Sequence, residues 1–303
     1  MKSKHLLSIT DLSPEEIAGL IKSGLYFKNS PFGSNLSNKS AALIFEKPSL
    51  RTKVSFDVAV NQLGGHSIYL SKDEIGLGTR EPISDVARVL SRLVDIIILR
   101  TFSQGKLKDL AAYSHIPVIN ALSDEEHPCQ ALADMLTIHE RFGTFQNINI
   151  AYIGDGNNVA SSLALAAASL GSNFIIACPP KYSIPKNISN EINRKARKSG
   201  SSFSITSNII EAVSKADVVY TDTWISMGQE EESNHRLNLF SGFQVNEDLL
   251  SQTGSSTIFM HPLPAHTGQE ISQDLLEHPK SVVFDQAENR LHIQKAILAE
   301  IVR

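Results

Sequence analysis

The feature that most constrains this chain is an alternation. Short apolar runs are each followed by a longer segment whose apolar residues recur three and four apart, and the series begins again after about residue 145. Leu12–Phe27, with Ile17, Leu20, Ile21 and Leu25 on one face, reads as an amphipathic helix opened by Ser13-Pro14-Glu15-Glu16. Ala41–Phe45 then reads as a strand, Val54–Leu63 as a helix, His66–Leu70 as a strand and Pro82–Leu93 as a helix. Ile96–Leu99 is a continuous apolar strand, Leu107–Tyr113 a helix, Pro117–Asn120 a strand and Gln130–Phe142 a helix. The restart is Ile148–Ile153, followed by a helix over Val159–Leu170, strands at Phe174–Ala177, Phe203–Ile205, Val218–Thr221 and Ile258–Met260, and intervening helices at Ile188–Lys198 and Ile209–Ser214. A last helix covers about Arg290–Ile301.

Strands alternating with helices make parallel sheets covered on both faces. The expected fold class is α/β, with two doubly wound parallel-sheet domains, and 303 residues suit two domains of ordinary size. Ligands of such sheets sit beyond the carboxyl ends of the strands. Polar clusters follow Phe45, Leu99, Asn120, Ile153, Thr221 and Met260, so both halves are loaded there, and the active site is expected in the cleft between them.

Composition removes several classes. Hydrophobic residues make up 42% and charged residues 20%, as in ordinary globular proteins, and the net charge of -4 leaves no overall basic field for nucleic acid. The run Glu230–Glu232 reads as a solvated helix or loop end. Cys129 and Cys178 are too few for a disulfide framework and fit no zinc spacing, which points to a reducing compartment. Asp11 interrupts the apolar stretch after Met1–His5, so no signal-peptide core is read, and no run approaches the ~18–20 apolar residues of a membrane span. A cytoplasmic location is expected.

Lys47-Pro48-Ser49-Leu50-Arg51-Thr52 lies between a strand and a helix. Backbone N–H groups at a helix start attract an anion, hydroxyls add donors, and Arg51 grips a phosphate with two bonds. The same Ser and Thr would serve equally as an ordinary N-cap. Arg100 follows an apolar strand, where surface arginines are also common. His127-Pro128-Cys129-Gln130 opens a helix; His127 could donate to a polarised carbonyl and Gln130 could bond an amide, or the histidine could be incidental. Gly154-Asp155-Gly156-Asn157-Asn158 lacks the third glycine of a dinucleotide loop, and Asn158 reads as a polar hand for a small ligand. Asp222 after a buried strand could hold an ammonium group or form an Asx-turn. The prolines of His261-Pro262-Leu263-Pro264-Ala265-His266 stiffen a turn whose free carbonyls suit an NH2 group; a rigid turn without ligand is the plain alternative.

Taken in order, these clusters resemble the aspartate/ornithine carbamoyltransferase family along nearly the whole chain. Ser49-Leu50-Arg51-Thr52 matches its S-x-R-T phosphate loop and His127–Gln130 its H-P-x-Q, both common to every branch. Asp222–Gly228 matches the D-x-x-x-S-M-G of the ornithine branch, while Gly154–Asn158 and Glu288-Asn289-Arg290 resemble that branch's G-D-x-N-N and E-N-R. The resemblance implies that Ser49, Leu50, Arg51, Thr52, Arg100, His127, Gln130, Pro262, Leu263 and Arg290 hold carbamoyl phosphate, with Thr52, Arg100 and His127 catalytic. It implies that Asn158, Asp222, Ser226 and Met227 hold L-ornithine, whose side-chain amine takes the carbamoyl group. It places a carbamoyl-phosphate-binding domain at 1–145, joined by the C-terminal helix 287–303, and an ornithine-binding domain at 146–286. It implies a homotrimer or a multiple of trimers, with Gly76–Glu81 reaching into the neighbouring site, and a cis Leu263–Pro264 bond. No metal or organic cofactor is expected.

One motif departs from the branch. H-C-L-P, with its thiol beside the reacting amine, is here His261-Pro262-Leu263-Pro264, the form of the aspartate branch. Asp222 with S-M-G disfavours aspartate, since a second carboxylate needs cations nearby. Putrescine or an acylated ornithine as acceptor, and a non-catalytic ligand-binding relative, are the competing readings. With no thiol at position 262, the departing phosphate is expected to take the proton of the attacking nitrogen, and turnover is expected to rise with pH.

Overall fold

The computed structural model describes residues 1–225, 228 and 230–302. The chain divides into two compact units, Met1–Leu136 with Glu288–Arg303, and Thr137–Ala287.

In the first unit α1 (Pro14–Asn29) leads to β1 (Ser40–Phe45), α2 (Leu50–Gln62), β2 (His66–Ser71), α3 (Lys72–Ile75), α4 (Ile83–Leu93), β3 (Ile96–Arg100), α5 (Gln104–Tyr113), β4 (Val118–Leu122) and the start of α6 (Pro128–Phe142). α1 begins where the sequence says it should. The Glu16 N–H donates to Ser13 Oγ at 3.2 Å and the Ser13 N–H to Glu16 Oε2 at 2.9 Å, a reciprocal cap worth about 1 kcal/mol. The sheet order is β2-β1-β3-β4, all parallel. β1, β3 and β4 are buried along their length, while the edge strand β2 is largely exposed. Ile44, Ile97, Leu99, Leu107, Leu110 and Val118 form the core on one face of the sheet.

The second unit takes the rest of α6 and then β5 (Asn149–Ile153), α7 (Asn158–Leu170), β6 (Asn173–Ala177), α8 (Lys186–Ser199), β7 (Phe203–Thr206), α9 (Ile209–Val213), β8 (Val218–Thr221), α10 (Ser233–Phe240), α11 (Glu247–Ser251), β9 (Ile258–Met260) and the first turn of α12 (Val283–Ile301). Its parallel sheet has the order β7-β6-β5-β8-β9. α7 is buried from Val159 to Leu170, which explains why its sequence is apolar all round. The chain thus leaves the first unit within α6 and returns to it within α12. The returning part of α12 is tied down by Lys295, which is fully buried and donates to the carbonyls of Phe27 and Pro31 at 3.1 Å and to Gln62 Oε1 at 2.9 Å. Among the described residues no helix is long and apolar enough to cross a membrane.

The alternation read from sequence is therefore present as two parallel α/β sheets. Three differences bear on the polar clusters. α2 starts at Leu50 instead of Val54, because Ser49 caps it. β3 runs one residue further, so Arg100 is the last residue of the strand. α12 starts at Val283, which places Glu288-Asn289-Arg290 inside a helix. α3, α10 and α11 are too short or too polar to show a clear periodicity, and the apolar pattern does not predict them.

Both sheets change direction once. In the first, β1 is flanked by β2 and β3, so successive crossovers leave β1 and β3 in opposite senses; in the second the same holds between β5 and β8. Such switch points leave a crevice at the strand ends. At the second one, Gly156 lies against the β6–α8 connection, where an added Cβ would stand 2.3 Å from the Ile184 nitrogen and the Ser183 carbonyl carbon. Gly156→Ala should therefore lower stability by about 2–3 kcal/mol, whereas Gly19→Ala, within α1 and with nothing within 4 Å of its Cβ, should raise it by up to about 1 kcal/mol. Urea denaturation midpoints check both.

Candidate active site

The first unit gathers cations at its switch point. Ser49, at the end of the β1–α2 connection, caps α2 by accepting the Thr52 N–H at 3.2 Å. Thr52 is fully buried, and its hydroxyl accepts from Arg290 Nη2 at 2.5 Å. Beside β1, the pairing of β3 with β4 slips between Leu99 and Arg100, so that Arg100 pairs with Leu122. The Arg100 carbonyl is held by the Glu46 N–H at 2.9 Å, and its side chain is 6% exposed with Nε making no hydrogen bond.

The electrostatics of this cluster favour an anion. Burial, then Arg290 and Arg51, depress the Arg100 guanidinium to about 10. His127 is driven well below the ordinary histidine value, first by burial and then by Arg290 and Arg100. Burial also lowers Arg51. Like charges that depress one another in a dry site call for an anion. His127 is consequently neutral at physiological pH and retains one N–H to donate. Gln130 donates to Asp134 Oδ1 at 2.8 Å, and its buried Oε1 has no hydrogen-bond partner. The site thus offers strong donors for an anion and one acceptor.

In the second unit the switch point is polar and acidic. Asn157 caps α7, accepting the Val159 and Ala160 N–H groups at 3.0 and 3.1 Å, and its Nδ2 donates to Asp222 Oδ2 at 2.8 Å. Asp222 follows β8, and burial raises its carboxyl, opposed in part by the Asn157 amide and the Thr223 N–H. A carboxylate so placed favours a cationic ligand. Asn158 is the first residue of α7. Beside it Asp155 pairs with Arg236, whose Nε donates to the Trp224 carbonyl at 2.7 Å. Burial raises Asp155 to about 6 despite Arg236. Pro262 and Leu263 lie in the turn after β9; the Leu263–Pro264 bond is cis and Leu263 has φ +58°.

The structure therefore brings Arg51, Thr52, Arg100, His127 and Arg290 into one electrostatic cluster, with Ser49 shaping the loop and Gln130 on the first turn of α6. Leu50 opens α2 and is 73% exposed. Asn158, Asp222, Pro262 and Leu263 belong to the second unit. Ser226 and Met227 lie outside the described residues. Asn157, which sequence reasoning does not single out, is the residue that holds Asp222. Its position just before an apolar helix marks it as a cap, but nothing in sequence spacing connects it with Asp222. Gly76–Glu81 forms a turn, exposed from Gly78 to Glu81 with Leu77 buried, and stapled by Lys106 Nζ to the Leu77 carbonyl at 3.1 Å.

Two family profiles match this chain. The aspartate/ornithine carbamoyltransferase carbamoyl-P binding domain matches residues 4–140, and the Asp/Orn binding domain of the same family matches residues 146–301. The chain belongs to the aspartate/ornithine carbamoyltransferase family. An ornithine carbamoyltransferase of Anoxybacillus flavithermus is 47% identical over 306 residues, 100% of this chain and 98% of that protein. Among solved structures, ornithine carbamoyltransferase from Pyrococcus furiosus superposes with a TM-score of 0.95 at 46% identity, covering 97% of this chain and 96% of that one. Anabolic ornithine carbamoyltransferase from Campylobacter jejuni gives 0.94 at 39% identity, covering 99% of each chain.

Neither thiol belongs to the polar loops. Cys129 is fully buried on α6, and burial pushes it up to about 12; Cys178 is 3% exposed and pushed up to about 11, first by burial and then by Asp155. At pH 8 both should therefore react with a disulfide reagent at least ~100-fold more slowly in the native protein than in guanidinium, because only the thiolate attacks. Titration with such a reagent under both conditions checks this.

Proposed function

We infer that this chain transfers the carbamoyl group of carbamoyl phosphate to the side-chain amine of L-ornithine, giving L-citrulline and phosphate. The observation that carries the reading is the mutually repelling cluster of Arg51, Arg100 and Arg290 around Thr52 and His127, in a chain matched end to end by ornithine carbamoyltransferases. Ser49, Leu50, Arg51, Thr52, Arg100 and Arg290 are assigned the phosphate and carbonyl oxygens. His127 donates to the carbonyl, and Gln130 Oε1 with the carbonyls of Pro262 and Leu263 accepts from the carbamoyl NH2. On the amine side, Asp222 takes the α-ammonium and Asn158 the α-carboxylate of ornithine, with Ser226 and Met227 completing that group.

The nucleophile is the neutral δ-amine, about one molecule in a thousand at neutral pH for a group titrating near 10.4. Its nitrogen attacks the carbamoyl carbon and charge builds on the carbonyl oxygen, where Thr52, Arg100 and the neutral His127 stabilise it. The bond from that carbon to the phosphate oxygen then breaks, and the nitrogen's proton passes to the departing phosphate. Most of the acceleration is charge stabilisation and positioning. No step draws on a metal or an organic cofactor.

We also propose the family's trimer. Leu50 and Val54 on α2 are 73% and 51% exposed, and Ile68 and Tyr69 on the edge strand β2 are 40% and 37% exposed, an apolar surface of the kind that association covers. Two buried unpaired cysteines accord with a cytoplasmic setting, and the biosynthetic direction is that of the anabolic Campylobacter jejuni relative.

A colorimetric citrulline assay with ornithine, putrescine and acetylornithine tests the reading. Product with ornithine alone is expected; none with any of them would leave a ligand-binding relative. Arg51→Ala should lower kcat/KM for carbamoyl phosphate by about 10³-fold, as for a lost oxyanion or phosphate donor. Asp222→Ala should raise the ornithine KM by about 10²-fold, the loss of a charge-assisted pair, and leave that for carbamoyl phosphate within threefold. Steady-state kinetics with each substrate varied separates the two; equal effects on both substrates would remove Asp222 from its amine role.

A further inference from the structure

The turn after β9 is held in an unfavourable shape by a carboxylate that the proposed chemistry does not use. Leu263, at φ +58°, sits in the left-handed region, which is unfavourable for a residue bearing a Cβ. Such a conformation persists only where its surroundings enforce it. The enforcement traces to His261. Its Nδ1 accepts the Leu263 N–H at 2.9 Å, so the ring proton is on Nε2, which faces Glu270 Oε1 at 3.2 Å. The same Glu270 oxygen accepts the His266 N–H at 2.5 Å. The His261 N–H donates to Gln286 Oε1 at 2.9 Å, and Gln286 Nε2 donates to the Tyr220 hydroxyl at 3.1 Å. His261, Glu270 and Gln286 are all fully buried.

One carboxylate oxygen thus fastens both ends of the turn from His261 to His266. Pro262 and Pro264 have no N–H, so donors inside the turn are scarce, and the Leu263 N–H is spent on the His261 ring. The Pro262 and Leu263 carbonyls lie between the two fastenings. A turn needed only for chain reversal would take glycine at position 263 without this apparatus. Burying a carboxylate is itself unfavourable unless it is bonded. An arrangement that adds both burdens fixes the direction of the intervening carbonyls.

We propose that Glu270 is a positioning residue for carbamoyl transfer: through His261 and the His266 backbone it aims the Pro262 and Leu263 carbonyls at the carbamoyl NH2. This rests on the proposed transfer reaction, in which those carbonyls bind the carbamoyl group. The role is one of reach, because both bonds fall on Oε1. A glutamine places a carbonyl oxygen at the same point, whereas an aspartate keeps the charge and cannot reach.

Glu270→Gln and Glu270→Asp are compared in citrulline formation with both substrates varied. Glu270→Gln should stay within about threefold of the parent kcat, and Glu270→Asp should lose about a hundredfold, the effect of a small misplacement near the reacting centre. The ornithine KM should stay within threefold in both. Equal losses in the two variants would overturn a role of reach alone, because Glu270→Gln keeps the reach; full activity of Glu270→Asp would remove the role altogether. If Glu270→Asp does not fold, His261→Gln keeps a donor toward Glu270 but has no acceptor at the Nδ1 position that takes the Leu263 N–H. It should show the same loss in kcat, and a normal rate would overturn the proposal. A parent protein that forms no citrulline would remove the transfer reading itself, an outcome distinct from a parent that is active alongside an equally active Glu270→Asp.

Discussion

Arg51, Arg100 and Arg290 share a site in which burial and mutual repulsion depress Arg100 to about 10 and hold His127 neutral. Much of the first unit is arranged around that unfavourable grouping. Arg51 arrives on the first turn of α2, Arg100 at the end of β3, and Arg290 on a helix that returns to this unit from the far end of the chain. The Lys295 bonds to Phe27, Pro31 and Gln62 and the Lys28 bond to Asn289 at 3.0 Å fix that helix, and with it the guanidinium that meets Thr52. Without an anion the cluster works against folding. With one, each repulsive pair becomes a pair of charge-assisted donors on a common acceptor. Binding energy for a phosphate is thus present before the ligand arrives, as preorganised charge.

The two units solve opposite problems with one topology. Each has a parallel sheet that changes direction once, and each puts its chemistry on the two strands flanking that point. In the first unit the connection after β1 and the end of β3 carry cations. In the second, the connection after β5 supplies Asn157, which caps α7 with its oxygen and holds Asp222 after β8 with its nitrogen. A single amide therefore ties the helix start to the carboxylate. At the start of α7 the Val159 and Ala160 N–H groups are satisfied by Asn157, which holds the Asp222 carboxylate with its other end.

This division explains what could be read from sequence. Strands and helices were legible because buried parallel strands are continuous apolar runs and the helices between them repeat near 3.6, so β1, β3, β5 and β8 stood out. Boundaries moved where a cap or a register slip decided them: Ser49 starts α2 early, and Arg100 joins β3 through its shifted pairing with β4. The apolar pattern put Arg51, Arg100, His127 and Asp222 at strand ends or helix starts, but their roles, and the link of Arg290 to them, came only from resemblance. What no spacing contains is the contact between residues far apart in sequence, such as Arg290 with Thr52, Asn157 with Asp222, or Glu270 with His261. Those depend on the tertiary fold, and they decide which of several polar residues in a cluster does the work.

The proline at 262 acquires a physical meaning in this setting. A thiol there could share the proton of the attacking amine, but the thiols of this chain are buried on α6 and just after β6 and resist ionisation. What the turn keeps is its carbonyls, and proline leaves a carbonyl in place while removing an N–H that would otherwise need a partner. The proton then has one natural destination. As the nitrogen bonds to the carbamoyl carbon its remaining protons become acidic, and the phosphate becomes basic as it departs, so acid and base meet within a single reacting assembly. The arginine cluster limits how basic that phosphate becomes. It therefore lowers the barrier by stabilising charge while leaving the proton transfer dependent on close contact between the nitrogen and the departing phosphate.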